Sequence, residues 1–337
     1  MTSHASRRIS APGEVLEFLL DMNYQKKPLS ILEQIDKLQR RGLIVEDVGM
    51  AYNYLSNISY YRLRAYTYPF QNNIDELADH VFVRRDIHFM DIIDLYCFDR
   101  RLRNIMFNAI EKIEIAVRAK IVQVYSESTN DSHWFLNQEL YKDKMVKGKD
   151  GMEVEAYEYL MRDIASEIKR SNEDFIKHYL LKYDNPKMPP AWMTLEVLSL
   201  GTLSRMYDLL KKSKEKSKIA HDFGLPNDVI LVNWLHSIAI LRNCCAHHGR
   251  IWNRRFVTNV MLPYNTKYSF VDKSIIKHIR SNKFFAVLCC TKYLVDVISP
   301  GNDMKKNLLS IMDDSGSLLD LKDMGFPKDW RDLSIWK

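Results

Sequence analysis

Apolar positions recur three and four residues apart along most of this chain, the period of helices with one buried face. Leu29, Ile31, Leu32, Ile35 and Leu38 trace the first such face, which starts after Pro28 and stops at Arg41-Gly42. Asp47 is placed to cap a second helix carrying Ala51, Tyr54, Leu55 and Ile58. Beyond a polar stretch from residue 71 to 79, the pattern predicts a long helix over about 87–125. Its core stripe is Leu102, Ile105, Met106, Ala109, Ile110, Ile113 and Val117. A charged, Gly-containing stretch at 142–153 reads as a loop, and helices over about 155–170 and 173–183 follow it. Residues 191–210 are apolar, and KKSKEKSK from Lys211 reads as a solvated loop. Val229, Ile230, Val232, Trp234, Leu235, Ile238, Ala239 and Leu241 predict another half-buried helix, which Gly249 terminates. Residues 275–279 and 284–298 give one more helical hairpin, and Phe326, Trp330 and Trp336 predict a tail that docks onto the body.

These elements imply an all-α protein in four parts: an N-terminal arm at 1–27, a small N-terminal helical module at 28–80, a helical bundle at 81–300 and a C-terminal tail at 301–337. With 46% hydrophobic residues in 337, the chain can bury one large core or two modest ones, and only 11 Gly and 10 Pro favour long helices over turn-rich β structure. Five cysteines, two pairs of them adjacent (Cys244-Cys245 and Cys289-Cys290), do not form a disulfide framework, so a reducing cytoplasm is the expected compartment. Arg7 and Arg8 precede the short run VLEFLL, but Glu17 interrupts it and no small-residue cleavage site follows. Apolar runs such as FFAVLCC fall short of a membrane span, and no membrane partner is expected.

The candidate chemistry sits at the end of the motif helix, in IAILRNCCAHHGRIWNRR from Ile238 to Arg255. Asn243 and His247 are i and i+4 neighbours, a spacing at which the amide can fix the tautomer or tilt of the imidazole. Arg242 stands roughly 140° around the helix from His247, within reach of the same cleft through its long side chain. An imidazole that titrates near neutrality beside a permanently charged guanidinium suits phosphodiester cleavage by a ribose 2′-hydroxyl, with no metal required. Cys244, Cys245, His247 and His248 lack the spacing of a zinc site, so neither metal nor cofactor is expected. The net charge of +6 is compatible with RNA as partner. In the N-terminal module, an edge of Arg40, Arg41, Tyr60, Tyr61, Arg62 and Arg64 reads two ways, as tyrosines packed between modules or as a platform for single-stranded RNA.

The string RNCCAHHGRIWNR resembles the motif of the Abi-like (AbiD/AbiF) abortive-infection family, and Arg242 to His247 resembles the Arg-x(4-6)-His signature of the HEPN superfamily. Residues 29–66 and 96–121 are similar to further family segments, in the family's order. The resemblance implies a HEPN-like bundle and a metal-independent endoribonuclease of bacterial antiphage or toxin-antitoxin type, with an RNA or protein antitoxin as a further partner. Arg242 and His247 would be the catalytic pair and Asn243 its orienter. His248, Arg250, Asn253 and Arg254 would bind substrate, and Arg103 and Glu111 of the long helix would line the cleft. HEPN-like nucleases build one cleft from two Arg/His motifs. This chain has one, Arg242 with His247 or His248, so a homodimer is expected. The alternative is a non-catalytic RNA-binding or regulatory protein that uses the same basic pocket.

Overall fold

A computed structural model describes residues 26–74, 79–148, 150–314 and 318–337. The N-terminal arm as far as residue 25, and residues 75–78 of the polar stretch, lie outside the described residues. The fold is all-α, with 62% of the chain helical and a single two-stranded sheet among the described residues. Two compact units divide after Met90.

The first unit contains α1 (Ile31–Arg40), α2 (Val48–Ile58) and α3 (Tyr60–Thr67). The start of α1 is set by Ser30, two residues past the expected Pro28: its hydroxyl accepts from the backbone N–H of Glu33, and the Glu33 carboxylate accepts from the backbone N–H of Ser30. Gly42, at φ 97°, ends the helix where the sequence predicts, and Asp47 caps α2 through the N–H of Met50 at 2.8 Å. The Tyr-rich edge splits in two. Arg41 is buried and donates to Tyr60 (2.8 Å) and Asp79 (2.7 Å), whereas Tyr61 is 83% exposed. Residues 80–89 are bonded to this unit: Phe82 N–H donates to the Arg41 carbonyl, and Ile44 exchanges backbone bonds with Ile87 and Phe89.

The second unit begins within α4 (Phe89–Thr129), a 41-residue helix in which Leu102, Met106, Ala109, Ile110, Ile113 and Val117 of the predicted stripe are buried and Ile105, at its edge, is half-buried. The stretch expected to be a loop at 142–153 instead carries an antiparallel hairpin, β1 (Met145–Lys147) on β2 (Glu153–Glu155), with Val146 opposite Val154. Then come α5 (Ala156–Arg170), α6 (Asp174–Lys182), the single turn α7 (Ala191–Thr194), α8 (Leu200–Leu209), α9 (Lys214–Asp222) and α10 (Asp228–Ala246). The helix α9 occupies most of the lysine-rich stretch read as a solvated loop. Ser213 caps it, and Ile219, Ala220 and the stem of Lys216 are buried, an amphipathic pattern that the charge run hides.

At the centre lies α10, packed against α8, α9 and α12 (Phe284–Ile298). Trp234, Leu235, Ile238 and Leu241 are completely enclosed, and the Trp234 indole N–H donates to the Met261 carbonyl at 2.7 Å. By length and composition, α10 meets the criterion for crossing a membrane, which the apolar runs alone do not. Half of that span is buried inside the unit, the pattern of a core helix. Between α10 and α12 lies the short turn α11 (Lys273–Ile276), and α13 (Met304–Asp313) follows α12. The tail docks as expected. Phe326 meets Phe285 at 4.7 Å between ring centroids, and Trp330 stands edge-on between Phe326 and Trp336.

Candidate functional site

The motif helix ends at Ala246, and the residue that reverses the chain is His248, at φ 55°, rather than the expected Gly249. His248 N–H donates to the Cys245 carbonyl (3.0 Å) and Gly249 N–H to the Cys244 carbonyl (2.8 Å), the paired bonds of a Schellman cap. Gly249 is small for a different reason. A Cβ there would stand 3.0 Å from Cys244 Sγ and 3.2 Å from the Cys244 carbonyl oxygen. Burial raises the thiol of Cys244 and pushes that of Cys245 up to about 12, so both remain protonated packing groups.

The loop after the cap is held by a residue the sequence reading passed over. Asp99 of α4 is completely buried, and its Oδ1 accepts the backbone N–H groups of Ile251 (3.2 Å) and Trp252 (2.7 Å). Its other oxygen accepts from Arg103, one turn along α4, and the Arg103 guanidinium also donates to the Gly249 carbonyl at 3.4 Å. Arg103 is thus only 4% exposed and clasps the loop from beneath. A charge pair taken this far out of water persists only with its remaining valences filled, and the loop amides fill those of Asp99. The signal in sequence was an acid and a base at i and i+4 within an apolar stripe, YCFDRRLR.

On this support, His247, His248 and Arg254 are exposed. The Arg250 guanidinium lies 5.5 Å from the centroid of the buried Trp252 ring, a cation–π contact that fixes its direction, and Arg254 donates to the Arg250 carbonyl. Asn253, at φ 45°, accepts from the Lys283 ammonium at 3.2 Å. Burial lowers the Lys283 ammonium pKa. Arg280, Arg255 and Arg250 lower it further and Asp323 opposes them, which marks the loop as a concentration of positive charge.

Arg242 lies apart from this group. It lines a cavity of about 690 Å³ together with Glu114 and Arg118 of α4. Glu114 bonds Arg118 at 3.3 Å and faces Arg242 Nε at 3.8 Å, within ion-pair range but beyond a hydrogen bond. Glu111, expected at the cleft, is exposed one turn away, and Glu114 stands beside Arg242 instead. Asn243 and His247 are both exposed, and the bond joining them is from the His247 backbone N–H to the Asn243 carbonyl at 3.0 Å. Arg250, Asn253 and Arg254 are therefore carried on one loop, with Arg103 of α4 buried beneath it rather than lining a cleft, while Arg242 faces a mixed-charge cavity.

Fold and site together define an all-α protein with an anchored cationic loop and two adjacent, exposed histidines at the end of its central helix. Comparison with known families matches residues 53–253 to the Abi-like protein family, a span that includes Asp99, Arg242 and the loop as far as Asn253. The chain belongs to the Abi-like family, which points to abortive-infection defence. No curated protein and no solved structure matches it.

Proposed function

We propose that this Abi-like protein has a HEPN-like bundle and acts as a metal-independent endoribonuclease in abortive infection. The observation that carries this reading is the pair of exposed imidazoles, His247 and His248, beside Arg250 and Arg254 on a loop anchored by a buried carboxylate. Cleavage by an internal nucleophile needs a base, an acid and a counter-charge, all held still. One imidazole takes the proton from the ribose 2′-oxygen as that oxygen attacks phosphorus. The 5′-oxygen leaves with a proton from a second imidazole, giving a 2′,3′-cyclic phosphate and a 5′-hydroxyl end. Guanidinium groups stabilise the charge that accumulates on the phosphoryl oxygens.

His247 follows Arg242 by five residues, almost one and a half helical turns. Arg242 lines a cavity whose walls include neither histidine, which favours a cleft completed by a second copy, in which Arg242 of one chain meets His247 of the other. The test is incubation of the purified full-length chain with mixed RNA in EDTA. We expect cyclic-phosphate ends, no cut in DNA, and loss of cleavage by at least a thousandfold in Arg242→Ala and His247→Ala with RNA affinity retained. Products bearing 5′-phosphates would exclude the mechanism. Affinity that falls with no cleavage to lose would establish the non-catalytic RNA-binding alternative.

A further inference from the structure

Beyond the motif the chain runs into a short antiparallel ribbon whose charge the cleavage chemistry leaves unused. Arg255 is paired with Lys283 across an isolated bridge, Phe256 N–H donates to the Asn282 carbonyl at 2.8 Å, and Val260 N–H donates to the Ser281 carbonyl at 3.0 Å. The Ser281 hydroxyl closes the far end on the Asn259 side chain at 3.1 Å. One segment therefore carries Arg254 and Arg255 and the other Arg280 and Lys283, in continuation of the loop that follows His247 and His248. An arginine directly opposite a lysine is a like-charge pair, which weakens such a ribbon rather than holding it.

These cations are not neutralised from within. Elsewhere in the same unit Arg101, Arg118, Arg205 and Arg331 each stand within 3.5 Å of a carboxylate. On the ribbon, Arg254 and Arg280 donate to the backbone carbonyls of Arg250 and Lys322, and Lys283 donates to the Asn253 amide oxygen, all of them uncharged acceptors. Arg255 is exposed and, among the described residues, pairs with no carboxylate. Lys283 is 9% exposed, and burial together with Arg280, Arg255 and Arg250 holds its ammonium below the usual range against the pull of Asp323. Cations gathered without counter-charges of the protein's own attract a polyanion. Guanidinium forks match the paired oxygens of phosphate, and a row that starts beside the proposed proton-transfer groups lies where a bound strand would continue. We infer that Arg255, Arg280 and Lys283 form a track for the RNA backbone, holding phosphates next to the one that is cleaved. The choice of RNA among polyanions rests on the nuclease reading; the cationic row does not. Because its contacts are to phosphate, the track has no sequence preference and does not distinguish ribose from deoxyribose.

Fluorescence anisotropy of the full chain across a series of potassium chloride concentrations tests the track. The probes are a 2′-O-methyl dodeca-uridylate, which lacks the attacking hydroxyl, and a DNA dodecamer. Arg255→Ala and Arg280→Ala should each weaken both probes at least threefold and reduce the slope of log affinity against log salt by about 0.7, the value for one phosphate contact on a single strand. Arg255→Lys, which keeps the charge, should restore most of the loss, and Arg162→Ala on α5, which removes an equal charge outside the ribbon, should change neither quantity. On cleavable RNA the loss should fall in KM rather than kcat. A double variant with wild-type affinity and slope overturns the inference, as does a wild-type chain that binds neither probe. Losses confined to phosphatidylserine vesicles overturn it too, and assign the row to a membrane surface. The two proposals fail separately: oligonucleotide binding that depends on Arg255 and Arg280 without any RNA cleavage removes the nuclease and leaves the track. Cleavage with KM and salt dependence unchanged in the double variant does the reverse.

Discussion

His248 holds a left-handed backbone at the end of the motif helix, in a position where a Cβ costs roughly 1–2 kcal/mol and glycine is the usual occupant. Retaining a side chain there is a cost that selection tolerates when the side chain acts. Replacing His248 by Gly relieves the strain but adds freedom to the unfolded chain, worth about 0.5–1 kcal/mol in the other direction. We therefore expect His248→Gly to be more stable in urea by under about 1 kcal/mol and, on the proposed mechanism with His248 as a proton-transfer group, to lose at least tenfold in kcat. A variant equally active and more stable would assign the second imidazole elsewhere. The sequence made Gly249 the obvious terminator, because glycine marks positive φ. The structure instead uses Gly249 for clearance against Cys244, a tertiary demand that no local pattern reveals. The anchoring role of Asp99 was hidden for a similar reason: its i,i+4 pairing with Arg103 showed in sequence, but the loop amides it holds lie some 150 residues further on.

Among the elements, α9 shows how charge composition misleads. Lysines at most of the positions from 211 to 218 read as solvated, yet Lys216 is 1% exposed and its ammonium donates to the carbonyls of Asp208 (2.9 Å) and Leu210 (2.8 Å). Those carbonyls end α8, where four acceptors lack intrahelical donors and a cation is favoured. Burial, reinforced by Lys142, lowers the ammonium from its usual 10.5 to about 8. Between these two values the unfolded chain binds more protons than the native one, so the Lys216 contribution to stability rises with pH from about 8 to 10.5 and is flat below. The full effect is on the order of 3 kcal/mol at 1.36 kcal/mol per unit. The buried thiols of Cys245, Cys289 and Cys290, held above their usual range, act with the opposite sign once unfolded thiols ionise. The measurement is thus a difference: urea unfolding at pH 7.5, 9 and 10 should show wild type gaining on Lys216→Met as pH rises, and parallel curves would assign the lysine no such role. The hydrophobic periodicity made helices legible wherever one face was apolar, as in α4 and α10. It missed α9 and the hairpin at 145–155, whose few buried positions are diluted by charge.

At the scale of the whole molecule, a single Arg/His motif per chain carries a stoichiometric consequence. If the cleft needs Arg242 from one copy and His247 from another, light scattering should give twice the 39.8 kDa chain mass. Adding inactive His247→Ala chains in excess should then depress activity beyond dilution, because mixed dimers carry damaged clefts. A fully active monomer would refute this and require Arg242, His247 and His248 of one chain to meet in one cleft. Periodicity alone points to neither the proposed assembly nor the proposed chemistry; the motif supplied the residues, and only the fold shows Arg242 lining a cavity beside Glu114 and Arg118.

The anchoring of the 249–252 loop on Asp99 also bears on how mutants of this protein would be misread. If the protein cleaves RNA as proposed, a growth selection for loss of toxicity would recover Asp99 alongside His247, although the carboxylate is sealed from solvent and out of reach of any substrate. Truncating one member of so enclosed an ion pair costs about 3–5 kcal/mol, enough to silence the loop and to deplete the protein in the cell. Abundance separates the two genotypes: His247→Ala should accumulate as an intact, inert protein, whereas Asp99→Ala should be scarce, with fast amide hydrogen exchange at Ile251 and Trp252. A screen scored by survival alone would draw the active site one layer too deep.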